Sequence, residues 1–424
     1  MMQEFSPILA IILENRGISS FSLFSAVRKT NILEVREMIE GKEVASAGQL
    51  KYGMVGGGEG SFIGDVHRKA IAMDGLAKLV AGCFSIYYDD TVRTAKKLCV
   101  SDDRVYKDFK EMASKESARE DGIDFVSICT PNATHFPIAK EFLETGINVV
   151  CEKPLTVDES EAKELAALAK EKNLLFAVTY AYSGYAMVKH AREMVLRGDI
   201  GEVRVVMGEY AQDWLATRLE DTGNMQASWR TDPSQTGKSN CVGDIGSHIE
   251  NTVAYITGLK LSSLCASLDS FVPGRSLDDN AEILVRFDNG ARGVFWASQV
   301  AIGHDNGLKV RVFGSKGSIE WDQESPNYLK VAYVGEPVQI LSRGGGYMLP
   351  SAANVSRIPA GHPEGYYEAF ANIYRNFATT LIKKKNGEDL SGADFPTVED
   401  GLAGVRFIGK AVESSQKGSV WLDL

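Results

Sequence analysis

The chain has 424 residues, 44% of them hydrophobic and 24% charged. At roughly 150 residues per domain that implies two or three domains, and the composition excludes a disordered, collagen-like or disulfide-stapled protein. With 46 basic against 56 acidic side chains the formal charge is −10, which repels phosphate backbones and sets nucleic acid aside as a partner; the basic run Lys383-Lys384-Lys385 reads as a solvated helix end.

Residues 1–49 stand apart from the remainder of the chain. The apolar run from Pro7 to Leu13 is far short of the ~20 residues that span a bilayer, and Glu4 and Glu14 flank it where a signal peptide carries basic and small residues. Asn31 to Glu34 reads as a capping box, with Ile32, Val35, Met38 and Ile39 on one helical face. The reading is a helical extension without an assigned role, or a start placed too far upstream.

From residue 50 the pattern alternates. Strands are predicted at Leu50–Val55, Lys78–Phe84, Phe125–Cys129, Ile147–Cys151 and Leu174–Thr179. Helices are predicted between them, at Ile63–Met73, Thr91–Leu98, His135–Thr145 and Glu159–Glu171. Short apolar strands separated by helices imply a parallel, doubly wound sheet over residues 50–180. After residue 180 the style changes. Helices are predicted at Met187–Leu196 and Asp244–Ile256, and a strand at Val203–Tyr210. Ala281–Phe287 and Gly293–Val300 come next, joined through Asn289-Gly290, a strong hairpin signal. Lys309–Phe313 and Ser318–Trp321 make a second pair, and helical periodicity returns over 364–385 and 398–414. The fold class expected is therefore α/β followed by α+β. A Rossmann-type domain (50–180) precedes a domain (181–424) with a large, mainly antiparallel open sheet, whose last helix packs back on the first domain.

The first strand runs into Gly56-Gly57-Gly58-Glu59-Gly60-Ser61-Phe62-Ile63-Gly64. Glycines here let the backbone approach a pyrophosphate at the next helix's N-terminus. Gly56, Gly58 and Gly64 are the candidate phosphate-loop residues, although the spacing is stretched by two relative to G-x-G-x-x-G. At the end of the second strand Ser85 stands where an acid would bind the adenosine ribose, so NAD and NADP both remain open, with NAD ahead. Farther on, Glu152-Lys153-Pro154 puts Lys153 at the carboxyl end of a strand, where open α/β sheets bind ligands. Asp244 and His248, spaced i, i+4, share a helix face. Lys, Asp and His together can take a proton from a hydroxyl while hydride leaves its carbon.

These residues carry a resemblance. The glycine turn followed by His67, then Thr130-Pro131-Asn132 with His135, Glu152-Lys153-Pro154 and Gly243-Asp244-Ile245-Gly246-Ser247-His248 appear in the order seen in the Gfo/Idh/MocA oxidoreductases. The chain resembles that family from about residue 50 to its end. The resemblance implies an NAD(P)-dependent dehydrogenase acting on a secondary hydroxyl of a sugar, glycoside or cyclitol, in either direction. It implies His248 as acid/base, Lys153 orienting the substrate and lowering the hydroxyl's pKa, and Asp244 binding a substrate hydroxyl or holding His248. Thr130, Pro131, Asn132, His135, Glu152 and Lys153 would line the cofactor. A homodimer or homotetramer built on the open sheet face is the expected assembly.

Plainer alternatives stand beside these. Lys153 alone could be a surface lysine, and His248 a satisfied helix histidine. His67 reads as a packing residue and His190 as a helix-surface residue. His304 and His362 lie in glycine-containing loops that can reach a cleft, and both are candidate substrate contacts; no ligand spacing supports a metal site with His248. Tyr182, Trp229 and Arg230, with Tyr180, Tyr185 and Trp214, could form a sugar-stacking platform or ordinary core. Rival functions are a sugar-to-sugar oxidoreductase with tightly held cofactor and a non-catalytic sugar or nucleotide sensor. Six scattered cysteines without a C-x-x-C pair suit a reducing, cytoplasmic compartment, and no membrane segment is expected.

Overall fold

Five apolar segments make the first sheet of the computed structural model, which describes residues 48–424; the helix expected around residues 32–39 lies outside them. The strands are β1 (Leu50–Gly56), β2 (Ala77–Cys83), β3 (Phe125–Cys129), β4 (Asn148–Cys151) and β5 (Phe176–Val178). They pair in the order β2-β1-β3-β4-β5, all parallel. Every residue of β3 is buried, as a strand covered on both faces requires. Val55, Val126, Ile128 and Val149 face one apolar cluster with the His135–Glu144 and Glu159–Glu171 helices. Tyr52, Met54, Phe125 and Val150 face the other, against the Phe62–Met73 helix.

That second cluster is completed from far along the chain. Phe370, Tyr374 and Phe377 of the Tyr366–Lys385 helix pack onto it, each large ring contributing roughly 1.5–3 kcal/mol of burial. The Val398–Gln416 helix bridges both cores, giving Val398 and Val405 to the first sheet and Phe407, Ile408 and Ala411 to the second.

The second sheet has nine strands: β6 (Val203–Ala211), β7 (Leu261–Asp269), β8 (Asn280–Phe287), β9 (Arg292–Ser298), β10 (Gly307–Gly314), β11 (Gly317–Asp322), β12 (Tyr328–Tyr333), β13 (Gln339–Ser342) and β14 (Leu422–Asp423). Their order is β13-β12-β11-β10-β6-β9-β8-β7-β14. Pairing is antiparallel except for β6 with β9, so the sheet is mixed. The Asn-Gly hairpin joins β8 to β9, with Gly290 at φ 89°. One face carries the Ala186–Leu196 and Ser247–Thr257 helices; on the strands' other face Val205, Leu284, Val294 and Phe313 are exposed.

Three local expectations need correction. The Phe109–Ala118 helix is absent from the expected elements, although Asp108 caps it by accepting from Glu111 N at 2.8 Å. The helix expected from Asp244 begins instead with a wider π-type turn, Val242–Gly246, and becomes α-helical only at Ser247. His190 is buried rather than on a helix surface, because residues 349–353 cross over it: Leu349 N donates to its Nδ1 at 3.2 Å.

Candidate active site

The carboxyl ends of β1 and β3 lie side by side, Gly56 opposite Cys129. Beyond them the connections diverge, and ligands of such sheets bind there. The chain leaves β1 with Gly56 and Gly57 at φ 78° and 68°. Ser61 then caps the Phe62–Met73 helix, accepting from Gly64 N at 3.2 Å. A Cβ on Gly58 would stand 2.7 Å from Phe84 O, and one on Gly64 2.3 Å from Gly57 Cα. Gly64 therefore takes the close-packing place that a shorter motif gives to its third glycine. This bare-backbone turn at a helix N-terminus fits a dinucleotide pyrophosphate.

Around that cradle Ser85 is half-buried; its hydroxyl accepts from Tyr87 N at 3.1 Å. On the following helix Arg93 pairs with Asp90 and Lys97 with Glu59. Thr130 accepts from Thr134 Oγ1 at 2.8 Å. Pro131 opens the short turn in which Asn132 donates across to Thr236 O at 3.1 Å. His135 is wholly buried, with Nδ1 2.9 Å from Pro154 O and Nε2 2.9 Å from Thr130 O. It ties the Thr-Pro-Asn turn to the Glu-Lys-Pro turn through main chain. Burial depresses its pKa, and the neutral ring can donate to only one of those carbonyls.

Lys153 leaves the end of β4 and reaches across to the second domain. Its Nζ donates to Asp244 Oδ1 at 2.9 Å and to Asp244 O at 2.8 Å. The other carboxylate oxygen accepts from Arg230 Nε at 3.1 Å and Gln299 Nε2 at 3.0 Å. Burial would raise the carboxyl's pKa, but Arg230 and Lys153 together hold it well below the ordinary range. The widened turn is what offers both a carbonyl and a carboxylate of one residue to the same ammonium.

His248 follows one turn later, and no hydrogen bond joins it to Asp244. Burial first, and the Lys153 cation second, push its pKa well below 6.5, so it is a neutral imidazole at pH 7. The Tyr182 ring stands edge-on at 4.6 Å and Tyr180 at 5.6 Å. The Tyr182 hydroxyl bonds Tyr210, which donates to Asn306 Oδ1 at 2.6 Å; Gln212 donates to the same oxygen at 2.8 Å. Tyr182 is buried and backs His248 rather than offering an open stacking face. The Arg230 guanidinium lies 4.3 Å from the Trp229 ring centre and 5.7 Å from that of Trp214.

Lys153, Asp244, His248, Tyr182 and Arg230 are thus brought together, with Trp229 against Arg230. His304 and His362 are exposed on their loops; the reach into the site comes from Asn306, two residues past His304. Gln299, Tyr210 and Asn306 belong to no motif, and only sheet pairing brings them here. His67 proves more than packing: it is fully buried and bonds Glu152 Oε1 at 2.8 Å. Among the described residues no cluster of three His, Cys, Asp or Glu side chains could hold a metal, and no helix is long and apolar enough to cross a membrane.

Residues 50–180 match the profile of an oxidoreductase family with an NAD-binding Rossmann fold, and residues 188–320 match the GFO/IDH/MocA C-terminal domain. An uncharacterised oxidoreductase of Bacillus subtilis is 38% identical over 392 residues, 91% of this chain and 99% of the relative. An inositol dehydrogenase homologue from Azotobacter vinelandii, solved with NADH and myo-inositol, superposes with a TM-score of 0.84 at 38% identity, covering 89% of this chain and 98% of that one. A levoglucosan dehydrogenase, solved with NADH and levoglucosan, gives 0.76 at 26% identity, over 89% and 99% of the two chains. The chain belongs to the Gfo/Idh/MocA family and is an NAD-binding oxidoreductase.

Proposed function

We propose, from that membership, that the protein is a dehydrogenase that oxidises a secondary hydroxyl of a cyclitol, sugar or glycoside with NAD⁺. The observation that carries this reading is the Lys153–Asp244 pair at 2.9 Å beside a neutral, enclosed His248. Gly56, Gly58 and Gly64 hold the pyrophosphate, and Ser85 meets the adenosine ribose. Thr130, Pro131 and Asn132 border the nicotinamide ribose, with His135 holding their turn. The nicotinamide, when bound, supplies the hydride acceptor. Lys153 donates to the substrate hydroxyl, and its charge lowers the hydroxyl's pKa. His248 is the base: its Nδ1 is enclosed, so Nε2 meets the hydroxyl and takes the proton as the carbonyl forms. Asp244, anchored by Arg230 and Gln299, holds Lys153 in register, and Trp229 with Arg230 borders the polyol. No separate observation favours a substrate role for His304 or His362.

The protein works, on this reading, as a homodimer or homotetramer through the open face of the nine-stranded sheet, in the cytoplasm. Exposed Val205, Leu284, Val294 and Phe313 support the first statement, and six unpaired cysteines support the second.

The test is absorbance at 340 nm with NAD⁺ or NADP⁺ and each of myo-inositol, glucose, a methyl glucoside and levoglucosan. A rise with NAD⁺ that is lost in Lys153→Ala and His248→Ala is expected. No rise with any polyol, from protein purified free of nicotinamide, would overturn the dehydrogenase reading. Nicotinamide that survives purification, with turnover only when two sugars are supplied, would replace it by the sugar-to-sugar oxidoreductase.

A further inference from the structure

The turn that carries Lys153 is held from behind by a buried charge pair that the reaction itself does not use. Glu152 is 8% exposed and His67 0%. Glu152 Oε1 accepts from His67 Nε2 at 2.8 Å and from the Thr179 hydroxyl, and Oε2 accepts from the main-chain N–H of Lys153 at 3.3 Å. Both carboxylate oxygens are therefore engaged within the protein, and one of them fixes the backbone of the very residue whose ammonium reaches Asp244. On the far side of the imidazole, Nδ1 bonds the Tyr374 hydroxyl. Tyr374 in turn lies 2.9 Å from Ser127 Oγ, which is 3.6 Å from Cys129 Sγ. With the ring doubly protonated, Nε2–H goes to Glu152, Nδ1–H to Tyr374, the tyrosine proton to Ser127 and the serine proton to the sulfur, whereas a neutral ring reverses every bond beyond Nδ1.

The pair also joins elements distant in sequence. His67 sits on the helix that opens the glycine cradle. Phe370 and Tyr374 hold its ring at 5.1 and 5.6 Å between centres. Tyr366, one turn earlier on that same late helix, lies 5.1 Å from Phe370 and 6.3 Å from Tyr182, the ring that backs His248. One helical stripe at i, i+4, i+8 thus runs from the wall of the reaction site to the buried imidazole.

We propose that His67 and Glu152 form a permanently charged positioning pair, clamping the Lys153 turn to the cofactor-binding helix, with Tyr374 fixing the imidazolium. The inference rests on the reading of Lys153 as the residue that meets the substrate hydroxyl. The titratable groups facing the pair are Lys153 and Cys151 beside Glu152, Cys129 on β3, Tyr374 and Tyr366 on the late helix, Tyr52 on β1 next to Tyr374, and His135, Tyr180 and His248 around Glu152. Burial opposes both charges. Cys129 and Glu152 outweigh it for the imidazole and hold its pKa above the ordinary value, while His67 and Lys153 hold the carboxyl below its own.

The experiment has two readouts on the full-length protein. Nitrogen-15 NMR of the histidine side chains, with His67 assigned from His67→Gln, is expected to show an imidazolium from pH 6 to pH 9, and a neutral ring at the upper end of that range in Glu152→Gln. A neutral His67 ring in the parent at pH 7 would overturn the proposal without any variant having to fold. Kinetics with NAD⁺ and myo-inositol form the second readout. His67→Gln leaves Glu152 without its cation, so its carboxyl pKa rises, and the acid limb of kcat should begin at a higher pH than in the parent. A displaced Lys153 should lower kcat by about 10²-fold while the Kd for NAD⁺ stays near the parent's. Tyr374→Phe, which removes only a hydroxyl, should give a smaller fall in the same direction. If Lys153→Ala is inactive while His67→Gln keeps the parental kcat and pH profile, the positioning role is overturned. If Lys153→Ala itself turns over normally, the fault lies in the catalytic reading instead.

Discussion

Two histidines enclosed in the same interior carry opposite charge states. His67, under the first sheet, faces the Glu152 carboxylate and is held protonated. His248, at the start of a second-domain helix, faces the Lys153 ammonium and three tyrosine rings and is held neutral. Burial pushes both toward neutrality, so the neighbouring charge decides between them. The difference separates work: a charged histidine that holds the frame, and a neutral one able to accept a proton.

The sharpest way to break this contrast is to remove each working side chain. His248→Ala and Lys153→Ala are each expected to lower kcat/KM by about 10²- to 10⁴-fold, the range of a lost proton-transfer group, as read at 340 nm. Neither should abolish NAD⁺ binding measured by calorimetry, since the glycine cradle remains.

Asp244→Asn tests the charge balance directly. It leaves Lys153 and Arg230 facing each other without their carboxylate, and should destabilise the fold by about 3 kcal/mol, as measured by urea titration at pH 7. The sign with pH comes from the depressed carboxyl. The contribution of Asp244 to parental stability is fully present above the ordinary carboxylate range near pH 4, and is lost as pH falls through its lowered pKa. The parent and variant stability curves should therefore converge on acidification.

A subtler change sharpens the comparison at His248. Lys153→Met removes the cation that, after burial, depresses this imidazole, so the NMR-detected pKa of His248 should move up towards 6.5. In the parent, where the base form persists below that pH, kcat/KM should stay flat through pH 6.5 and fall only on further acidification.

At the cofactor end, Gly64→Ala would set a Cβ 2.3 Å from Gly57 Cα. Overpacking of this kind costs about 1–3 kcal/mol and should weaken NAD⁺ binding by moving the glycine turn. Ser85→Asp should have the smallest effect: a several-fold shift in the NAD⁺ to NADP⁺ ratio of kcat/KM, with the fold unchanged.

Much of this protein was legible in its sequence. The alternation of apolar runs and helical faces, the glycine turn and the Asn-Gly hairpin each act within a few residues, where backbone sterics and side-chain period decide the outcome. The doubly wound sheet, the strand-end place of Lys153 and the sequential closeness of Asp244 and His248 result from them. What tertiary structure decided is everything that depends on partners far along the chain. The π-type turn that lets Asp244 meet Lys153 twice, the parallel pairing of β6 with β9, and the arrival of Gln299, Tyr210 and Asn306 at the site carry no local signature. His67 is the clearest case. Its sequence position on a helix face suggests packing, and only burial opposite Glu152, with Tyr374 brought from 307 residues away, makes it an ion-pair partner. Charge state in a protein interior is set by the few groups within hydrogen-bond reach, and folding alone chooses which groups those are.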